Sequence, residues 1–112
     1  MVEQKAKELA AEIRASEEFK RYVKAREAVA ENGMTKSLLE EYRRLRVKAQ
    51  ADAVAGGGDP ETLEKLQKLG ELLQMDRAAS EYLMAEFMLH RMVGEVYRTL
   101  AEAAELDLSM LE

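Results

Sequence analysis

The stretch from Tyr82 to Leu100, YLMAEFMLHRMVGEVYRTL, constrains the fold most strongly. At about 100° per residue, Tyr82, Ala85, Leu89, Val93, Val96 and Leu100 fall on one helical stripe, which is expected to be core. Phe87, Met84 and Met88 project to another side, among Arg77, Arg91, Glu95 and Arg98. Met84, Met88 and Met92 form a row of their own at i, i+4, i+8, and the flexible thioether of Met suits irregular or exchangeable surfaces. A helix with apolar surface on two sides needs two partners. The spacing therefore predicts a last helix from Arg77 to about Ala104, roughly 40 Å long at 1.5 Å per residue, with one face inside the chain and another against a second polypeptide.

The rest of the chain punctuates into helices. Val2, Ala6, Leu9, Ala10 and Ile13 give a first helix to about Arg14, and Ser16 can cap a second with Phe19, Tyr22, Val23 and Val29 on its apolar face. Asn32-Gly33 reads as a stop, with Gly33 suited to the left-handed position after a helix, and Thr35 as the cap of a third. Leu38, Tyr42, Leu45, Ala49 and Ala53 follow in near-heptad spacing. Gly56-Gly57-Gly58 is the clearest break; it reads as a hairpin loop over 56–60, since each half is too small to fold alone. Asp59 caps the fourth helix, Pro60 sits where its missing N–H is harmless, and Leu63, Leu66, Leu69, Leu72 and Leu73 mark its length. Gln74-Met75-Asp76 is a short joint with Asp76 as the next cap. No alternating apolar–polar run suggests a strand. The expected fold is all-α, a single domain over 1–112: an antiparallel bundle of four to five helices with one long C-terminal helix, completed by dimerisation, and a frayed tail over 105–112.

Composition excludes several functions. The chain carries 17 Lys and Arg against 22 Asp and Glu, a formal net charge of −5, so non-specific attraction to nucleic acid is disfavoured. There is no Cys, which removes disulfides, thiol catalysis and Cys-ligated metal within this chain. The N-terminus lacks the apolar run of a signal peptide, and no stretch of about 20 uncharged apolar residues offers a membrane span. A cytoplasmic protein that does not engage membranes is expected.

Three groups are candidate sites. Glu86 and His90, one turn apart beside the apolar stripe, are expected to be a buried polar pair that fixes helix register; the alternative is an acid–base pair or half a metal site of a metal-dependent enzyme. A di-iron bundle requires Glu-x-x-His motifs from two helices, and this chain has one His, four residues from Glu86. Arg43, Arg44, Arg46 and Lys48 form a basic run beside Tyr42. It reads either as an RNA-phosphate contact or as a solvated face paired with Glu40, Glu41 and other acids, with Arg46 near enough to the stripe to reach a buried acid such as Glu86. Leu83, Met84, Phe87, Met88, Arg91, Met92 and Glu95 form the expected oligomer or partner interface, with Phe87, Met84 and Met88 at its apolar centre and Arg91 and Glu95 on a charged rim. Gly94, unfavourable inside a helix by about 1 kcal/mol relative to Ala, suggests close approach of another helix. Composition and spacing show no chemistry, and no catalytic residue or cofactor is expected.

The order of short motifs resembles the YlbF/YmcA family of small helical bacterial regulators. The residues that carry it are Glu8-Leu9-Ala10, Ser16-Glu17-Glu18-Phe19-Lys20-Arg21-Tyr22, Ala25, Asn32, Leu39-Glu40-Glu41-Tyr42-Arg43-Arg44-Leu45, Leu63-Glu64-Lys65-Leu66, Glu81-Tyr82-Leu83-Met84-Ala85-Glu86, Ala101-Glu102-Ala103 and Leu106-Asp107-Leu108. The resemblance implies an all-helical fold that self-associates without catalytic activity. It implies a role in competence, sporulation and biofilm control, with other regulators of the family or an RNA-processing complex containing an endoribonuclease as partners. That complex is associated with iron–sulfur clusters. Two departures stand out: this chain has no Cys, and Asp76-Arg77 stands where the family often has Asn-Pro.

Overall fold

The computed structural model describes residues 1–106. Their five helices are α1 (Val2–Ala15), α2 (Glu17–Ala30), α3 (Gly33–Val54), α4 (Pro60–Met75) and α5 (Arg77–Ala103), with no strand among the described residues. The fold is all-α, as the punctuation predicts.

Each joint has a local cause. Between α1 and α2, the Ser16 hydroxyl donates to the Ile13 carbonyl at 2.6 Å and accepts from the Phe19 N–H at 3.2 Å, closing one helix and capping the next. Before α3 the expectation is corrected. Asn32 is the cap, accepting from the Thr35 N–H at 3.2 Å; the helix starts at Gly33, and Thr35 lies inside it. Gly33 does not take a left-handed conformation. That role falls to Gly56 at φ +91°, where its N–H reaches the Ala53 carbonyl and the Gly57 N–H reaches that of Asp52, a Schellman closure of α3. Asp59 caps α4 by accepting from the Glu61 N–H at 3.0 Å, and Pro60 opens the helix. Asp76 caps α5 by accepting from the Ala79 N–H at 3.1 Å. The same closure ends α5: Leu106 N–H bonds the Ala101 carbonyl and Glu105 N–H that of Glu102, with Glu105 at φ 58°. Leu106 is exposed, and 107–112 of the expected frayed tail lie outside the described residues.

The chain groups into two compact units. One, residues 24–83, holds a core of larger side chains: Val29, Leu39, Leu45, Leu73 and Tyr82 are buried with Ala25 and Ala79. Here α3 and α4 form the antiparallel hairpin expected around Gly56–Gly58. Lys48 Nζ donates to Thr62 Oγ1 at 3.1 Å near the loop, and the Tyr42 ring lies beside Gly70 farther along. Among the described residues the two buried polar ones are threonines that donate to capping aspartates: Thr62 to Asp59 at 3.2 Å and Thr35 to Asp76 at 2.5 Å. The Thr35 bond ties the start of α3 to the start of α5.

The other unit comprises residues 1–23 and 84 onward. Among its described residues only Ala85 and Ala101 are fully buried. No residue of α1 is buried, and Leu9 and Ile13 are half-buried. The stripe expected to be core is corrected accordingly. Tyr82 and Ala85 are buried, Leu89 and Val96 are half-buried, and Val93 and Leu100 are exposed, because this unit has too few layers to cover the far end of α5.

Candidate functional site

The first half of α5 carries a cluster of exposed apolar side chains. Asp76 starts the helix, and a run of strong helix formers from Ala78 to Met92 propagates it. Its Tyr82 and Ala85 face inward, so the turn geometry sends Phe87, Met84 and Met88 out. Phe87 is 62% exposed, Met84 52% and Met88 41%. Leu83 and Met92 flank them, half-buried. Arg91 and Glu95 pair at 3.6 Å along the helix, and Arg21 Nη1 of α2 lies 4.0 Å from Met88 Sδ. The arrangement is an apolar centre with a charged rim that already pairs within itself, so it can approach another surface without an unmatched charge at its edge.

The polar pair is not enclosed in a single chain: Glu86 is half-buried and His90 is exposed. Gly94 has open space where a Cβ would stand, with no atom of the described residues beyond its own helix within 4 Å.

The basic run divides rather than forming one patch. Arg43 donates to the Tyr82 hydroxyl at 2.7 Å, with its guanidinium carbon 5.3 Å from the ring centre. Arg44 donates from Nε and Nη2, one guanidinium edge, to both carboxylate oxygens of Glu41, a pairing that holds the Glu41 carboxyl below its ordinary pKa and raises that of Arg44. Arg46, expected to reach a buried acid, lies over the Tyr42 ring at 5.8 Å. Lys48 binds Thr62 and lies 3.6 Å from Asp59. Each cation has a separate local partner. Arg43, Arg46, Val47 and Gln50 line an open groove of about 250 Å³ on one face of α3, while Arg44 and Lys48, one turn apart, lie along another.

Among the described residues no three His, Cys, Asp or Glu side chains gather where they could hold a metal ion. With no Cys in the chain, the donor set does not fit an iron–sulfur cluster. No described helix is long and apolar enough to cross a membrane.

Sequence reasoning missed two residue pairs. The Thr35–Asp76 and Arg43–Tyr82 bonds join residues 41 and 39 positions apart. Capping chemistry singled out Asp76, but nothing local points to its second partner.

The family described as "Control of competence regulator ComK, YlbF/YmcA" matches residues 2–105. The chain belongs to the YlbF/YmcA family. It is similar to a UPF0342 protein of Clostridium novyi (strain NT), 29% identical over 104 residues that cover 92% of this chain and 91% of the relative. A UPF0342 protein of Desulfitobacterium hafniense (strain Y51) is 30% identical over 99 residues, covering 88% and 80%. Among solved structures, a protein of unknown function (DUF964) from Bacillus stearothermophilus superposes with a TM-score of 0.80 at 22% identity, covering 93% of this chain and 92% of that one. That likeness establishes the shared fold. The resemblance read from the motif order thus stands: this is an all-helical YlbF/YmcA-family regulatory protein.

Proposed function

We propose that this YlbF/YmcA-family member is a non-enzymatic cytoplasmic adaptor. It self-associates through the Leu83–Glu95 face of α5 and docks on other proteins of its family or on an RNA-processing complex with an endoribonuclease. In that role it serves competence, sporulation or biofilm control. The observation that carries the reading is the exposed Phe87, flanked by Met84 and Met88, on a helix whose Tyr82 and Ala85 are packed inside. Phe and Met are enriched at the centres of protein interfaces, where charged residues are depleted. Mutual pairing of the rim charges Arg91 and Glu95 supports it. The engagement of Arg43, Arg44, Arg46 and Lys48 with separate partners leaves direct RNA binding without a shared cationic face, and among the described residues no third donor gathers with Glu86 and His90 as a metal site requires.

Affinity capture from native cytoplasm tests the adaptor role, with wild type, Phe87→Glu and Arg44→Glu as baits. Wild type and Arg44→Glu are expected to retain the same partners and Phe87→Glu to lose them. Identical sets from all three, or no partner with wild type, would contradict the proposal.

A further inference from the structure

The chain has a single asparagine, Asn32, and a glycine follows it. That pair has a chemistry of its own. The backbone nitrogen of the second residue can attack the side-chain carbonyl carbon of the first and close a five-membered ring. Glycine favours the attack because it has no Cβ to crowd the nitrogen and turns freely about its backbone. No Asp-Gly pair occurs in the sequence, so no aspartate offers the same ring closure as readily.

Solvent reaches this pair, and one helical turn restrains it. Asn32 and Gly33 are both exposed. Apart from its chain neighbours and its own helix backbone, no described atom lies within 4 Å of the place a Gly33 Cβ would take. Gly33 is the first residue of α3, so its N–H has no acceptor a turn earlier in that helix. The positive end of the helix dipole favours loss of its proton. Three bonds hold Asn32 on the other side. Its N–H donates to the Val29 carbonyl at 3.0 Å, its carbonyl accepts from the Lys36 N–H at 3.0 Å, and its Oδ1 accepts from the Thr35 N–H at 3.2 Å. With ψ at 100°, the Gly33 nitrogen points away from the Asn32 Cβ. The ring cannot close until the Cα–C bond of Asn32 turns and the first turn of α3 lifts.

Thr35 carries that restraint inward. It is fully buried, and its hydroxyl donates to Asp76 at 2.5 Å. Asp76 is itself fixed as the cap of α5 by the Ala79 N–H at 3.1 Å. Lifting the start of α3 therefore draws on a bond to a residue 41 positions away.

We infer that Asn32-Gly33 is a self-modification site of this protein, and that the Thr35–Asp76 bond sets how often it opens. When the turn lifts, the Gly33 nitrogen gives up its proton and bonds to Asn32 Cγ. The Cγ–Nδ2 bond breaks, and Nδ2 leaves with that proton as ammonia. Water then opens the ring at either carbonyl. Addition at Cγ leaves aspartate at position 32. Addition at the backbone carbonyl carbon leaves isoaspartate, whose main chain runs through Cβ and Cγ. The two products act differently on α3. Aspartate keeps a capping oxygen and adds a negative charge at the favourable end of the helix dipole, in a chain whose formal net charge is −5. Isoaspartate lengthens the backbone and takes the carbonyl that Lys36 N–H bonds out of the main chain. The first turn of α3 then loses its cap.

Ageing of the full-length chain in warm, mildly alkaline buffer tests this. Peptide mapping by mass spectrometry reads a gain of about one mass unit in the Asn32 peptide, and an isoaspartyl methyltransferase assay reads the rearranged product. Folded wild type is expected to convert more slowly than the same chain in urea. Asp76→Ala is expected to convert Asn32 at least about fivefold faster than folded wild type, and the milder Thr35→Val at least about twofold. Both are compared where circular dichroism shows their helices intact, and either one suffices if the other does not fold. Gly33→Ala, for which there is room, is expected to slow the reaction sharply. Equal rates for folded and urea-unfolded wild type would show that the turn gives no protection. Equal rates for wild type and the folded variants would remove the Thr35–Asp76 bond from control. No conversion in any folded protein over the time the unfolded chain converts fully would overturn the site itself.

Discussion

Removing the Asp76 carboxylate tests how the start of α5 is held. Asp76 accepts from the Ala79 N–H and from the fully buried Thr35 hydroxyl. Losing an N-cap costs about 0.5–2 kcal/mol, and leaving a buried hydroxyl without a partner adds about 1–3 kcal/mol. Asp76→Ala is thus expected to destabilise by about 2–4 kcal/mol. Asp76→Asn keeps the oxygen that accepts from the Ala79 N–H and places an amide NH2 at the second position, to which the Thr35 hydroxyl can turn a lone pair, so it should lie within about 1 kcal/mol of wild type. Thr35→Val replaces the hydroxyl by a methyl and leaves a half-exposed carboxylate that water can reach, so about 0.5–1.5 kcal/mol is expected. In the double variant the orphaned hydroxyl is absent, and its total should fall short of the sum of the singles by about 1 kcal/mol. Urea titration of the four variants, followed by far-ultraviolet circular dichroism, measures these differences. Equal stabilities for Asp76→Ala and Asp76→Asn, or strict additivity, would refute the reasoning.

Other outcomes follow from local geometry. Gly56 is left-handed at φ +91° and Gly57 is not, and neither has a neighbour within 4 Å. Gly56→Ala should therefore destabilise by about 1–2 kcal/mol, whereas Gly57→Ala should be neutral or stabilise by up to about 1 kcal/mol, both read by thermal melting. Gly94→Ala should raise helix stability in the monomer by up to about 1 kcal/mol yet weaken self-association; equal association constants for the two proteins would remove Gly94 from the interface. Asp76, through Thr35, and Asp59, through the Glu61 N–H, are held below the ordinary carboxylate range. Their ionised forms therefore stabilise the fold above the unfolded pKa near 3.9, and that contribution is lost as pH falls through the lower folded values. Acid titration of Asp76→Asn should show a shallower loss of stability below about pH 4 than wild type.

Helix number, the hairpin at Gly56–Gly58 and the caps at Ser16, Asp59 and Asp76 were legible because each rests on chemistry within a few residues. The start of α3 was misplaced because Asn32 and Thr35 are both capping types; Asn is the stronger acceptor for an N–H three residues on, and it took the position. The periodicity of α5 correctly separated Tyr82 and Ala85 from Phe87, Met84 and Met88. It could not show that Val93 and Leu100 lie open, since a stripe records which side is apolar and not how many layers exist to cover it. Adjacency of Arg43, Arg44, Arg46 and Lys48 suggested one patch, but on a helix neighbours diverge by about 100° and each met a different partner. Glu86 and His90 sit at the edge of the same open unit, so their enclosure depends on what covers α5.

Sedimentation analysis of wild type beside Phe87→Glu is the most direct test of whether α5 is a self-association surface. Phe87 makes its variant informative because the side chain is exposed and its loss removes little from the single chain. Wild type is expected to sediment as a dimer or larger assembly that dissociates on dilution, and Phe87→Glu at the protomer mass of 12.7 kDa. Wild type at 12.7 kDa throughout, or two proteins of identical assembled mass, would contradict the account.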